Sequence, residues 1–172
     1  VVKAAPVKWD RRIVESKIKS QAVIINSGIA NACTGEEGMH CCLETAKAAA
    51  EALEIPADGV LVGSTGVIGM QMPIEKLKKG IQILAKEKQS GAVAANAAAK
   101  AIMTTDTMEK EVAVTVEIGG KTVTIGGMAK GSGMIHPNMC TMLAFLTTDA
   151  VISRKALKAA LRADVEETYN MI

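Results

Sequence analysis

A glycine pair between two alternating segments restricts the fold more than any other feature of the sequence. Residues 111–118 and 121–125 alternate apolar and polar side chains, as β-strands do, and Gly119-Gly120 separates them. Two glycines allow positive φ at both central positions of a tight hairpin turn. We therefore predict an antiparallel hairpin over residues 111–125. A chain with such a hairpin is not a purely parallel, doubly wound nucleotide-binding sheet.

The remaining segments predict strands that feed helices. Apolar, β-branched runs indicate two short buried strands, at 21–25 and 59–63. Helical spacing of apolar residues, with acidic or proline residues at the ends, indicates three helices, at 36–53, 74–88 and 90–103. Ser153 is the expected N-cap of a final helix whose inward residues are Ala156, Leu157, Ala160 and Leu161. Residues 3–12 are interpreted as an extended segment. Together these elements predict a layered α/β (α+β) chain.

The core of this chain must be built from small and aliphatic side chains. Hydrophobic residues make up 49% of the sequence but aromatic residues only 2%, which favours closely packed layers of helix and sheet. The length of 172 residues suits a single domain or part of a larger one. Because the sequence starts at Val1 without methionine, we expect it to be a single incomplete domain.

Charge and hydropathy exclude several classes of partner. The net charge of +2 and the lack of a basic stripe argue against nucleic acid. No run approaches the ~20 apolar residues of a membrane span, so we expect no membrane partner. The first residues lack the pattern of a secretory signal, which predicts a cytoplasmic protein.

The cysteines fit a reduced protein better than a disulfide framework. A metal site could be suspected from Cys33, His40, Cys41 and Cys42. However, adjacent cysteines point to different faces of a helix, and no Cys-x-x-Cys pair occurs. We predict buried, small hydrophobic cysteines and no metal.

The first candidate for catalysis is Thr141. It follows a loop that is loosened by Gly131 and Gly133 and stiffened by Pro137, and it opens the apolar run 142–146, a predicted buried strand. A threonine at such a junction is a candidate nucleophile that needs a base. Cleavage of the chain before it would supply one, because the new α-amino group has a pKa of about 8. The alternative is an ordinary loop-to-strand junction.

The second candidate is the Thr65-Gly66 turn expected after the strand at 59–63. A glycine N–H and a threonine hydroxyl are two donors that could hold the oxyanion of a tetrahedral intermediate. A phosphate cradle is the rival interpretation, but no Gly-x-x-x-x-Gly-Lys-Ser/Thr string occurs. Thr104 to Thr107 form either a polar helix cap or a pocket wall. Lys130 is either a solvated cation at a strand end or a clamp for a substrate carboxylate.

The block from Lys130 to Leu143 resembles the self-cleavage motif of the ornithine acetyltransferase family, the bifunctional glutamate N-acetyltransferases of arginine biosynthesis. One residue departs from that motif, since Cys140 stands where alanine is usual. The likeness extends over nearly the whole chain. It includes three further segments, the Asn-Ser-Gly-Ile-Ala-Asn-Ala-Cys-Thr-Gly loop at 26–35, Thr65 to Gly69, and Met-Thr-Thr-Asp at 103–106.

The resemblance implies a fold and a set of site residues. The fold is an α/β/β/α sandwich, superficially like the N-terminal-nucleophile hydrolases. Cleavage between Cys140 and Thr141 would give an α-chain of residues 1–140 and the start of a β-chain at 141–172. Thr141 is then the nucleophile, Thr65 and Gly66 form the oxyanion hole, and Thr105, Lys130 and Thr141 contact substrate.

The resemblance also implies an activity and its partners. The enzyme moves an acetyl group from N-acetyl-L-ornithine to L-glutamate without a cofactor, and some members also take acetyl-CoA as a co-substrate. Its partners are these substrates and its own β-chain, in a heterotetramer of two α and two β chains. Two alternatives stay open at this point. One is an aminopeptidase or amidase of similar build, and the other is an uncleaved, non-catalytic amino-acid-binding protein.

Overall fold

The computed structural model describes residues 3–16, 18–132 and 142–171. The chain divides into two compact units, Val1–Ala94 and Ala95–Ile172. One sheet pairs two strands and the other pairs three. Helices and strands are both present in the described residues, which confirms the α/β class. None of the described helices is long and apolar enough to span a bilayer.

The first unit is built around a parallel strand pair. Its elements, in chain order, are α1 (Ala5–Glu15), β1 (Ala22–Ile29), α2 (Gly35–Leu53), β2 (Val60–Val67) and α3 (Ile74–Glu87). β1 and β2 are in register from Ala22 opposite Val60 to Ile29 opposite Val67. Parallel neighbours need a long crossover connection, and α2 supplies it here. The helices predicted at 36–53 and 74–88 are confirmed as α2 and α3.

Helix α1 corrects the prediction of an extended segment at 3–12. Pro6 suggested extended chain, but proline is tolerated in the first turn of a helix. The helix buries Trp9 and Ile13, which are 4% and 2% exposed. The Trp9 indole donates a hydrogen bond to the Val60 carbonyl (3.0 Å), and the Asp10 carboxylate accepts one from the Val62 N–H (2.9 Å). Helix α1 thus covers backbone groups of β2.

Small residues on α2 allow this core to pack closely. The buried cluster combines residues of α1, α2, β2 and α3, namely Ala5, Trp9, Ile13, Cys42, Ala46, Ala49, Ala50, Val60, Val62 and Ile81. Cys42, Ala46 and Ala49 are fully buried. The predicted burial is confirmed for Cys41 and Cys42 but wrong for Cys33, which is exposed.

The second unit contains an antiparallel sheet in the order β3-β4-β5. The remaining α-helices and strands of the described residues are α4 (Ala92–Ala101), β3 (Lys110–Ile118), β4 (Lys121–Lys130), β5 (Leu143–Thr148) and α5 (Arg154–Glu167). Gly119 and Gly120 have φ of 59° and 73°, as a two-residue hairpin turn of this kind requires. The predicted hairpin is confirmed, and β4 continues beyond it to Lys130.

The C-terminal elements form where predicted, but their apolar residues are not buried. The Ser153 hydroxyl accepts a hydrogen bond from the Ala156 N–H (3.2 Å), which confirms the cap. However, Leu157 and Leu161 of α5 are 50% and 46% exposed, and Leu146 of β5 is 53% exposed. The prediction that these residues face inward is therefore wrong.

Candidate functional site

The predicted nucleophile Thr141 and the adjoining Cys140 lie outside the described residues. The other predicted site residues are described. Thr65 and Gly66 belong to the first unit, whereas Thr105 and Lys130 belong to the second.

Thr65 and Gly66 lie within β2, not in a turn after it. The strand runs on to Val67 because it pairs with β1, where Ser27 is opposite Thr65 and Gly28 is opposite Gly66. Gly66 has a φ of 131°, which L side chains rarely adopt. A Cβ at Gly66 would lie 2.7 Å from the Cα of Gly28, and closer still to the Gly28 carbonyl group. The position therefore needs glycine for both its conformation and its close neighbour.

One edge of β2 faces away from β1 and presents backbone N–H groups. The Val62 N–H on this edge is taken by Asp10. Because backbone groups alternate between the two edges of a strand, we expect the Gly66 N–H on the same edge. Thr65 is 9% exposed, and the buried hydroxyl of the neighbouring Ser64 has no hydrogen-bond partner among the described residues. The hydroxyls of Ser64 and Thr65 and the Gly66 N–H thus come directly after the residues of β2 that α1 covers.

The segment after β1 uses its polar side chains internally. The Asn31 amide donates to the Gly38 carbonyl (3.0 Å) and to the Cys42 sulfur (3.3 Å). The Thr34 hydroxyl donates to the Asn31 Oδ1 atom (2.7 Å). Asn31 is 2% exposed and has a φ of 48°. These contacts fix the turn to the start of α2, which favours a structural role for it.

The two adjacent cysteines are poor nucleophiles in this environment. Burial, followed by the charge of Asp10, raises the pKa of the Cys42 thiol to about 12. Burial and the charge of Glu37 also raise the pKa of Cys41. A raised pKa disfavours the thiolate that attacks or binds metals. Within the described part of the chain, no three His, Cys, Asp or Glu side chains gather as a metal site would require.

A polar turn between α4 and β3 contacts the end of β4. The hydroxyls of Thr105 and Ser132 are 2.9 Å apart and share a hydrogen bond. Asp106 Oδ1 accepts hydrogen bonds from the Gly131 N–H (2.8 Å) and the Lys110 ammonium (2.7 Å). The sequence singled out Thr105 by resemblance but left Asp106 open. Its partner Gly131 is 25 residues away, and no local pattern signals such a contact.

Lys130, the last residue of β4, is 5% exposed. The interpretation as a solvated cation at a strand end is therefore wrong. Lysine residues are rarely buried to this degree, so Lys130 occupies an unusual position for its residue type. Side chains alternate along β4, so Lys130 lies on the same face as Met128 and opposite to Ile125 and Gly127.

Comparisons with known proteins agree along the whole chain. The ArgJ family model matches residues 1–172. The arginine biosynthesis bifunctional proteins ArgJ of Listeria monocytogenes and Thermotoga neapolitana are 50% and 51% identical to it, over 99% and 100% of this chain. That of Symbiobacterium thermophilum is 53% identical over 100% of the chain. The chain spans only 42% or 43% of the length of these relatives.

Two solved structures share the fold. The arginine biosynthesis bifunctional protein ArgJ of Bacillus halodurans matches with a TM-score of 0.74 and 45% identity, over 83% of this chain and 72% of that one. An ornithine acetyltransferase of Mycobacterium tuberculosis, solved in complex with ornithine, matches with a TM-score of 0.72 and 42% identity over the same shares.

Proposed function

The chain belongs to the ArgJ family, and on this premise we propose that it carries the nucleophile of an enzyme that moves an acetyl group from N-acetyl-L-ornithine to L-glutamate. The role in arginine biosynthesis is the one named for its relatives. The observation that carries the proposal is the match of all 172 residues to the family. The ornithine held by the relative from M. tuberculosis supports the choice of substrate.

The proposed maturation step cleaves the chain before Thr141. The Thr141 hydroxyl attacks the carbonyl of Cys140, and the acyl group moves from the Thr141 nitrogen to its oxygen. Water then hydrolyses this ester, which gives the Cys140 carboxylate and a free Thr141 amine. The β-branch of threonine restricts χ1 and helps to hold the hydroxyl in position.

In the proposed turnover, the free amine serves as the base for the Thr141 hydroxyl. That hydroxyl attacks the acetyl carbonyl of acetylornithine, and ornithine leaves with a proton. The amine of glutamate then takes the acetyl group from the ester and regenerates the hydroxyl. Thr65 and Gly66 would stabilise the oxyanion in both steps. Two observations support this assignment: Thr65 is buried, and the Gly66 N–H is expected on the edge of β2 that faces away from β1.

Thr105 and Lys130 are the proposed substrate contacts in the second unit. Lys130 is 5% exposed as a residue, and a charge held largely out of water attracts a carboxylate more strongly than one at a solvated surface. Lys130 therefore suits a substrate α-carboxylate. We assign no cofactor, and acetyl-CoA is an alternative acetyl donor.

We further propose that the β-chain begins at Thr141 and continues beyond this sequence, in a heterotetramer with the α-chain. The exposed apolar face of the second sheet supports a partner of this kind. Val112, Val114 and Ile118 of β3 are 63%, 47% and 58% exposed and lie on one face of the sheet. Polypeptide with apolar side chains would bury this face.

Acetyl transfer distinguishes the proposal from its rivals. The full-length protein is incubated with N-acetylornithine labelled in the acetyl group, with and without glutamate, and the products are separated. We expect labelled acetylglutamate only when glutamate is present. Release of acetate would instead indicate an amidase, and binding of N-acetylornithine without transfer would indicate a non-catalytic protein. A parallel incubation with labelled acetyl-CoA tests the second donor.

The oxyanion hole is tested by a pair of neighbouring variants. Thr65→Val removes a hydroxyl at nearly constant volume, and we expect kcat to fall about 100-fold, as for other oxyanion donors. Ser64→Ala is the matched control, since its buried hydroxyl has no hydrogen-bond partner in the part of the chain that the structure describes. Equal rates in the two variants would remove Thr65 from the oxyanion hole.

A further inference from the structure

The Asp106 carboxylate is completely withdrawn from solvent although its neighbours in the turn are exposed. Its side chain is 0% exposed, whereas Thr104, Thr105 and Thr107 are exposed residues. A buried carboxylate is costly unless hydrogen-bond donors surround it. The hydrogen-bond donors around the Asp106 carboxylate therefore explain why it can be buried.

Asp106 gathers donors from three separate places in the second unit. The Thr104 N–H of its own turn lies 3.4 Å from Oδ2. The Lys110 ammonium at the start of β3 lies 2.7 Å from Oδ1. The Gly131 N–H, one residue after β4, lies 2.8 Å from the same Oδ1 atom. Burial raises the pKa of this carboxyl, but these donors outweigh it and lower the pKa to about 2.

The bond to Gly131 runs beside a second bond between the same two segments. Thr105 and Ser132 share a hydrogen bond of 2.9 Å between their hydroxyls. The turn at 104–106 is thereby tied to residues 131–132 at two adjacent positions. Lys130 directly precedes this pair of contacts, so the tie fixes the separation of the Thr105 turn from the end of β4.

We propose that Asp106 is a positioning residue for substrate, because its bond to the Gly131 N–H holds Thr105 in register with Lys130. This inference rests on the proposed function, because the substrate meant here is N-acetylornithine. In this proposal Asp106 acts through Thr105 and not on a reacting atom. Its acceptor oxygen is what matters, and neither its charge nor its ion pair with Lys110 is required for the bond to Gly131.

Four variants of the full-length protein separate the acceptor from the charge. Asp106→Ala removes the acceptor, and we expect KM for acetylornithine to rise about tenfold with kcat changed less than threefold, as for loss of one hydrogen bond. Asp106→Asn keeps an oxygen at the same place and should restore KM to within about threefold. Asp106→Glu keeps the charge but displaces the oxygen, and should resemble alanine. Lys110→Met leaves the bond to Gly131 intact and is the matched control.

A second measurement does not depend on acetyl transfer. Hydrogen exchange of the peptide at 129–132, followed by mass spectrometry, should accelerate about tenfold for one amide in Asp106→Ala and Asp106→Glu. It should stay unchanged in Asp106→Asn and Lys110→Met. If the wild-type protein transfers no acetyl group, the proposed function fails, and exchange together with ornithine binding by calorimetry still decides the inference.

Several results would overturn the inference. An unchanged KM in Asp106→Ala would do so, and so would rescue by glutamate but not by asparagine. A rise in KM for Lys110→Met equal to that for alanine would show that the ion pair is what matters. If the alanine variant does not fold, the contrast between asparagine and glutamate carries the test alone.

Discussion

The two sheets of this protein differ in how far the described residues cover them. In the first unit, Val60 and Val62 of β2 are 0% and 4% exposed, and α1, α2 and α3 contribute side chains to the cluster around them. In the second unit, every residue of β3 is exposed, including the valines of its apolar face. The first sheet thus has its core within this chain, whereas the apolar face of the second has none among the described residues.

The difference follows from how the strands are connected. A parallel pair needs a crossover helix, and that helix packs on the pair it joins. An antiparallel hairpin needs only two residues between its strands, so it can form without any covering layer. An alternating strand sequence therefore predicts the pairing of a sheet but leaves the partner of its apolar face unspecified.

The largest expected effect tests the tight contact within the first sheet. Gly66→Ala should destabilise the protein by at least about 3 kcal/mol, because it adds backbone strain to a collision with Gly28. Gly69→Ala is the matched control, since Gly69 also has a positive φ (76°) but has open space around its Cβ position. It should cost about 1 kcal/mol. Urea unfolding measures both, and equal losses would show that the strands do not approach so closely.

The next effect compares the same substitution in the two sheets. Val62→Ala removes two methyl groups from a core position and should cost about 2 kcal/mol. Val114→Ala, at a position that is 47% exposed, should cost roughly 0.5 kcal/mol in the 172-residue chain. In the full-length protein, the cost at Val114 should rise towards that at Val62 if further polypeptide covers β3. A cost that stays small there would remove the argument for a covering β-chain.

Asp10 in the first unit and Asp106 in the second should change the stability of the protein with pH in opposite directions. Burial raises the pKa of Asp10 to about 6 from an ordinary value of 3.8, so the folded state holds its proton more tightly. Its contribution to stability is therefore largest below pH 4 and is lost as pH rises to 6. We expect a loss on the order of 1–2 kcal/mol, which Asp10→Asn abolishes. Thermal unfolding from pH 3 to 7 measures it.

Asp106 provides the contrast to Asp10. Its pKa is lowered to about 2, so its contribution is present above pH 4 and is lost as pH falls towards 2. Asp106→Asn should remove that acidic loss and leave the range from pH 4 to 6 unchanged. The same slope in both variants would contradict the assignment of opposite shifts.

The smallest effect concerns an ion pair on the surface of the first unit. Lys78 of α3 contacts Glu44 of α2 at 2.9 Å, and both side chains remain partly exposed. Lys78→Met should lower the urea midpoint slightly at low salt and not at all in 1 M NaCl, where the charges are screened. A salt-independent loss would indicate that the methylene groups of Lys78, not its charge, join the helices.

Local patterns in the sequence predicted much of this fold. The hairpin, α2, α3 and the cap at Ser153 depend on residues close in the chain, and all are confirmed. Helix α1 was missed because its stability comes from burying Trp9 against a distant strand. The lengths of β1 and β2 were underestimated because the small residues at their ends are extended only through pairing with the neighbouring strand.

The candidate site was predicted less completely, for a similar reason. Residue type and position raised Thr65, Gly66 and Lys130 as candidates, and resemblance added Thr105 and assigned the roles. The burial of Lys130 and the bond from Gly131 to Asp106 depend on contacts between residues far apart in the sequence. Such contacts leave no periodic signal, so only the structure revealed them.

The central claim is that the chain is cleaved before Thr141, and the intact mass of freshly expressed full-length protein tests it most directly. Two fragments that meet between Cys140 and Thr141 are the predicted result. Cys140→Ala should still be cleaved and Thr141→Ala should remain whole. A single uncleaved wild-type chain that nevertheless transfers acetyl groups would contradict the account.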